Sequence, residues 1–282
     1  MNKQEVKSIL KSYNISPKKR WGQNFLISKD VLDKIIDISD LFSSDILLEV
    51  GPGLGTLTEE LIKNTHKVFA YEIDEALYSY LNNKFQDKEN LEIYNKDILN
   101  VELPTYNKIV SNIPYSITGP LFEKLFFINK PPIGILIIEK NLADRIFYKN
   151  NYKNYSRITV SVNSFLDPVQ QINISHDSFY PRPKIDLSLI KLLPKSDLSD
   201  FITHPKTRAF YLKFIAGIMP YKNKNIINAI ILFLKNMEIR NIEKSDLRFL
   251  LNSMGYKNSK VYEFEISEYP NLCKEIYNYI QN

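Results

Sequence analysis

Up to about residue 194, short apolar runs alternate with apolar stripes at helical spacing. Ile46-Leu47-Leu48 is an unbroken run, and Leu54, Leu57, Leu61 and Ile62 recur behind it every one to four positions along one helix face. The pattern predicts a buried strand, a turn and a helix. Lys67–Glu72 predicts a second strand, Leu91–Asn95 a third, Lys108–Ser111 a fourth and Gly134–Ile138 a fifth, with a helix over 116–127 ahead of the fifth. Upstream, Val6, Ile9 and Leu10 predict a short helix that ends by Ser16-Pro17, because a residue before proline leaves the helical region. Ser28 is a candidate N-cap for a helix carrying Val31, Leu32, Ile35 and Ile36. Residues 168–174 and 185–191 predict a closing pair of strands. Beyond Pro194 the grammar becomes helical, as in Phe210–Ile218 and Ile226–Leu234. The expected fold class is α/β, a Rossmann-like sheet over residues 1–193 with a basic N-terminal segment (1–29), followed by a small all-helical domain over 194–282.

The turn after the first sheet strand carries the first chemical signal. It reads Glu49-Val50-Gly51-Pro52-Gly53-Leu54-Gly55-Thr56. Glycines let a backbone approach a ligand without a Cβ in the way, and the helix behind them offers unpaired N–H groups. This is the front half of a nucleotide-binding βαβ unit. The spacing is G-x-G-x-G, and Thr56 stands where a dinucleotide fingerprint has its third glycine. Glu72 ends the second strand about 20 residues beyond the turn, where an acid meets ribose hydroxyls; the alternative is a solvated carboxylate. Asp97 follows the third strand and has a second reading as a turn former. Asn112-Ile113-Pro114-Tyr115 follows the fourth. Polar residues after successive strands line the sheet edge at which open α/β folds bind ligands.

Composition narrows the class. Of 282 residues, 44% are hydrophobic and 24% charged, ordinary for a chain that buries a core. The formal net charge of +5 permits a polyanionic partner without requiring one. Cys273 is the single cysteine, so neither a disulfide framework nor a zinc cluster is expected, and no metal. Its distance from every motif argues against cysteine attack on a pyrimidine ring. No apolar run reaches the roughly 18 residues of a membrane span. The first residues have no hydrophobic signal core behind them, and Glu5 disfavours an organellar leader. A cytoplasmic protein without membrane contact is expected. His66, His176 and His204 are scattered, which with the displaced glycine disfavours a nicotinamide dehydrogenase.

Taken together, E-V-G-P-G-L-G-T-L-T, Y-E-I-D, K-D-I-L and S-N-I-P-Y resemble the motifs of the S-adenosylmethionine-dependent ribosomal RNA adenine N6-dimethyltransferases, most nearly the bacterial small-subunit branch. Lys18–Leu26 resembles that family's K-K-x-x-G-Q-N-F-L, with Trp21 where phenylalanine is usual. Phe179–Ser188 resembles F-x-P-x-P-x-V-x-S. The resemblance implies S-adenosylmethionine as methyl donor, with Asn24, Leu26, Gly51, Gly53, Glu72, Asp97 and Asn112 around it. Asp97 would bond the adenine amino group of the donor. Glu49 would orient the glycine loop. It implies Asn112, Pro114 and Tyr115 as the catalytic set and Tyr115 and Phe179 as the pocket for a flipped base. In that set the Asn112 oxygen and the Ile113 carbonyl accept the two N–H bonds of the attacking amine. Pro114 stiffens the turn, and Tyr115 stacks on the base. Where the family shows Q-K-E-V-A-x-R, this chain has Glu139 and Asn141.

The implied reaction is dimethylation of two adjacent adenines near the 3′ end of small-subunit rRNA, on an immature 30S subunit, by a monomer. Candidate RNA contacts are Arg145, Lys149, Lys153 and Arg157, interleaved with Tyr148, Tyr152 and Tyr155, and also Lys206, Arg208 and Lys222 in an acid-free stretch from Phe201 to Met237. An exposed lysine-rich loop is the alternative. Two other functions remain open on sequence: the resistance-type enzyme acting on one large-subunit adenine, and a non-catalytic nucleic-acid-binding factor on the same fold.

Overall fold

The computed structural model describes residues 1–18, 21–148, 153–239 and 242–281. In chain order the elements are α1 (Lys3–Ser12), β1 (Phe25–Leu26), α2 (Lys29–Ser39), β2 (Ile46–Val50), α3 (Thr56–Asn64), β3 (Lys67–Tyr71), α4 (Glu75–Lys84), β4 (Leu91–Tyr94), β5 (Lys108–Asn112), α5 (Thr118–Leu125), β6 (Ile133–Glu139), α6 (Lys140–Ile146), α7 (Arg157–Phe165), β7 (Leu166–Ile174), β8 (Phe179–Tyr180), β9 (Leu187–Pro194), α8 (Asp200–Thr203), α9 (Pro205–Ile218), α10 (Ile226–Asn236), α11 (Lys244–Ser253) and α12 (Tyr269–Gln281). Among the described residues no helix is long and apolar enough to cross a membrane.

Contacts divide the chain into two units. The first comprises 1–126, 131–144 and 167–194; the second comprises 127–130, 145–166 and 195–282. The helical unit thus takes in α7 as well as the chain beyond residue 194. The stretch from Arg145 to Arg157 is bounded by two helices that periodicity did not reveal, α6 reaching past Arg145 and α7 starting at Arg157. Lys19, Arg20, Lys149 and Tyr152 lie outside the described residues.

In the first unit a seven-stranded sheet runs β4-β3-β2-β5-β6-β9-β7. Strands β4, β3, β2, β5 and β6 are mutually parallel, and β9 pairs antiparallel with β6. Strands β2, β5 and β6 are buried along nearly their whole length, as the continuous apolar runs require of parallel strands covered on both faces. Edge strand β4 is only half-buried. Strand order reverses at β2: β3 and β4 lie to one side, β5 and β6 to the other. A crevice opens at the carboxyl ends of strands at such a reversal. Apart from the main sheet, β1 and β8 form a two-stranded antiparallel pair, Phe25 opposite Tyr180 and Leu26 opposite Phe179. The N-terminal segment is held there by a sequence separation that no local pattern encodes.

The start of β5 is anchored by a buried ion pair. Lys108 Nζ lies 2.7 Å from Asp45 Oδ2, with both side chains 4% exposed. Asn107 Nδ2 donates to the other Asp45 oxygen at 2.6 Å, and Lys108 also donates to the Ser39 carbonyl at 3.3 Å. Removing one member leaves the other charged and dry. Lys108→Met should therefore cost about 3–5 kcal/mol, and Asp45→Asn added to it should restore part of the loss. Denaturant unfolding of the two variants measures the difference.

Candidate active site

Residues from four strand ends and from the N-terminal segment enclose a cavity of about 960 Å³, its open mouth included, in the first unit. Its floor is the glycine turn. Gly51 and Gly53 adopt φ of +67° and +60°, a region where side chains are strained. A Cβ on Gly53 would stand 3.1 Å from the Phe25 ring, so the bare turn also admits β1 above it. Gly55 sits at φ +71° before α3, and a Cβ there would come within 2.6 Å of Phe85 and 2.9 Å of Leu81. Gly55 thus lets the start of α3 sit close against the end of α4, whereas the third glycine of a dinucleotide fingerprint serves helix–strand packing.

Two buried carboxyls line this cavity. Glu72 is 4% exposed; its Oε2 accepts from Gly53 N at 3.2 Å and its Oε1 from Asp74 N at 2.9 Å. Burial pushes its pKa up to about 7. Glu49 is 2% exposed, and its Oε2 has no hydrogen-bond partner. Burial, with the Glu72 charge adding to it, pushes Glu49 up to about 8. Asp97 lines the same cavity and is a turn former: Oδ1 accepts from Leu99 N at 2.9 Å, capping a 3-10 turn, and Oδ2 accepts from Asn100 Nδ2 at 2.8 Å.

Asn112 ends β5 with its amide fixed in one sense. Its Nδ2 donates to the Asn24 carbonyl at 3.2 Å, and its Oδ1 is buried without a partner. One residue earlier, the Ser111 hydroxyl accepts from Val50 N at 3.1 Å and donates to Val50 O at 2.6 Å, tying β5 to β2. Pro114 packs opposite the turn, 3.4 Å from where a Gly51 Cβ would stand. Tyr115 is half-buried, its hydroxyl buried and unpartnered, and burial holds that hydroxyl protonated far beyond its ordinary range. Asn24, Leu26, Gly51, Gly53, Glu72, Asp97 and Asn112 all line one cavity, with Pro114 beside them. Tyr115 lines a second, adjoining cavity with Asn24.

Phe179 is not where the sequence placed it. It is 3% exposed and packed in the hydrophobic core, because successive residues of a strand face opposite ways. Its neighbour Tyr180 lines the second cavity with Tyr115. A latch was also missed. Gln23 Nε2 donates to Asp74 Oδ2 at 3.0 Å, Lys18 Nζ pairs with the same oxygen at 3.0 Å, and Gln23 Oε1 accepts from Lys18 N at 2.6 Å. Asp74, 2% exposed, caps α4 and so pins the segment over the cavity two residues after Glu72. The acid in Tyr71-Glu72-Ile73-Asp74 was the available signal.

In the helical unit the cationic candidates divide. Arg145, Arg157 and Lys206 are exposed. Arg208 instead donates to the Thr203 carbonyl at 2.9 Å and Lys222 to the Tyr155 carbonyl at 2.8 Å, both half-buried. Tyr155 is 1% exposed and bonds the Tyr269 hydroxyl at 3.1 Å, so it is a core residue and cannot stack on a base.

Known proteins resemble the chain over most of its length. The sequence model of the family "Ribosomal RNA adenine dimethylase" matches residues 14–264. Ribosomal RNA small subunit methyltransferase A of Borrelia garinii subsp. bavariensis is 36% identical over 263 residues, 92% of this chain and 90% of that protein. The probable ribosomal RNA small subunit methyltransferase A of Pyrococcus furiosus is 32% identical over 274 residues, 96% of this chain and 95% of that protein. The crystal structure of a dimethyladenosine transferase from Plasmodium falciparum superposes with a TM-score of 0.77 at 26% identity, covering 91% of this chain and 98% of that one. That of the 23S rRNA methyltransferase ErmE gives 0.62 at 22%, covering 89% and 98%, a likeness of fold.

The raised carboxyls set a pH dependence. A carboxyl whose folded pKa exceeds its unfolded value binds more protons in the folded state, so stability falls as pH rises through that window. For Glu49 the window runs from 4.5 to about 8. Glu49→Gln should melt with the parent below pH 4.5 and several degrees above it beyond pH 8. Thermal unfolding across that range checks this, and parallel curves would count against it.

Proposed function

Because the chain belongs to the ribosomal RNA adenine dimethylase family, we propose that it transfers methyl groups from S-adenosylmethionine to the N6 amines of two adjacent adenines near the 3′ end of small-subunit rRNA. The substrate is an immature small subunit, and the setting is the cytoplasm. The unpartnered Asn112 oxygen carries the reading. A buried amide oxygen without a donor costs free energy, and a site tolerates that where a ligand supplies the donor.

The residues present fit the donor. Glycines leave a bare floor, Glu72 accepts hydroxyls while its outer lone pairs remain open, Asp97 stands at the third strand end, and Asn24 and Leu26 close the cavity from above. When bound, S-adenosylmethionine supplies a methyl already activated on a sulfonium sulfur, so no covalent nucleophile of the protein is called for. The protein's work lies with the amine. An exocyclic amine is a poor nucleophile because its lone pair is delocalised into the ring. Asn112 Oδ1 accepts one of its N–H bonds and the Ile113 carbonyl the other, favouring a pyramidal nitrogen as positive charge grows there. The Asn24 carbonyl holds the Asn112 amide in the sense that presents oxygen. The segment over the cavity excludes water from the reacting centre. Tyr115 stacks on the flipped base, its protonated hydroxyl adding no charge. Arg145, Arg157 and Lys206, exposed on the helical unit, serve as phosphate contacts. The acting species in this reading is a monomer.

Incubation with labelled donor and immature small subunits, followed by mapping of methylated adenines, tests the reading. Label in two adjacent small-subunit adenines is expected; label in one large-subunit adenine would assign the resistance-type reaction instead. Asn112→Ala should lower turnover about 10²–10³-fold with the fold intact. Glu72→Ala should weaken donor binding in calorimetry while RNA affinity holds.

A further inference from the structure

Next to the donor cavity lies a second one of about 1510 Å³, its open mouth included, sharing Gly22, Gln23 and Asn24 as a partition. Its charged wall residues are Lys7, Lys11, Arg182 and Lys184, all cationic. Lys7 and Lys11 belong to α1, a rigid mount. Asn2 caps that helix and forms a reciprocal capping box with Glu5, and Val6 and Leu10 are buried in the core. Residues four apart share a face about 6 Å apart along the axis, so α1 presents Lys3, Lys7 and Lys11 as a stripe. Lys3 and Lys7 Nζ lie 5.7 and 5.6 Å from the centre of the Tyr180 ring. Tyr180 and Tyr115 both face this cavity. Arg182 lies 3.5 Å from Asp177, in an exposed pair that a phosphate can displace.

We propose that this second cavity binds the nucleotide next to the target adenine, in single-stranded RNA, with Lys7, Lys11 and Lys184 on its phosphates and Tyr180 against its base. The idea rests on the function proposed above and deepens it. A site of aligned cations with an aromatic ring is what sequence-tolerant single-strand binding uses. It lies wholly within the first unit, so the strand is gripped beside the chemistry as well as by the helical unit. It also assigns work to the lysine-rich start of the chain and gives a stacking role to Tyr180 where the sequence pointed to Phe179. A neighbouring adenine held here would be positioned one step from the Asn112 cup.

The test uses the full chain and a fluorescent hexaribonucleotide containing two adjacent adenines. Replacing Lys7, Lys11 and Lys184 together by Gln should raise the Kd at least tenfold at low salt. The slope of log K against log salt should shrink by about 1.4, since two phosphates flank the nucleotide and each one neutralised in a single strand contributes about 0.7. Tyr180→Leu should weaken binding with the slope unchanged. Donor affinity and melting temperature should hold in both variants. Neutralising Lys29, Lys63 and Lys88, which lie outside this cavity, is the charge control and should leave the slope near the parent's. A triple variant that keeps the parent's slope and affinity, or a control that loses as much, overturns the proposal. That outcome is separable from failure of the parent reading, which would show as no methyl transfer by the unaltered protein to small subunits.

Discussion

The hydrogen bond from Asn112 Nδ2 to the Asn24 carbonyl is the contact on which the site depends. It joins a sheet strand to a segment 88 residues earlier, and it does so through an amide with two unlike ends. Once the nitrogen is committed, the oxygen has one orientation and no donor within the protein. The same bond thus ties the N-terminal segment to the cavity and fixes the acceptor that the proposed reaction would use. A carboxylate or hydroxyl in that place would not have fixed which atom faces outward.

Beside this contact Glu49 and Glu72 are both buried; Glu72 accepts from the turn at Gly53, and burial holds both carboxyls toward their neutral forms. Glu72 spans the interval between the Gly53 amide and the Asp74 amide, while Asp74 grips Lys18 and Gln23. Floor and cover are thereby linked through two acids two residues apart. A ligand that supplies hydroxyl donors to Glu72 favours its ionised form, so binding and protonation at this point are coupled.

The β1–β8 pair has a similar economy. Two residues from each segment place Phe25 over Gly53 and turn Tyr180 toward the second cavity while Phe179 fills the core. The cover of the first cavity and part of the wall of the second therefore belong to one small ribbon. In the helical unit Arg208 and Lys222 donate to carbonyls of the same unit, because half-buried charges must find partners.

Periodicity alone located the strands and most helices of the sheet, since a parallel strand buried on both faces has little choice but to be continuously apolar, as in Ile46–Leu48 and Gly134–Ile138. Glycine spacing and the strand-end residues Glu72, Asp97 and Asn112 marked the cavity, because ligand sites of open α/β sheets fall at strand ends irrespective of what fills the rest. Family resemblance supplied the chemistry. The tertiary structure decided what depends on contacts distant in sequence: the carbonyl that orients Asn112, the Asp74 latch, and the burial of Tyr155. It also decided which of Phe179 and Tyr180 faces the cavity. Adjacent strand residues point oppositely, and only the register against Phe25 and Leu26 chooses between them.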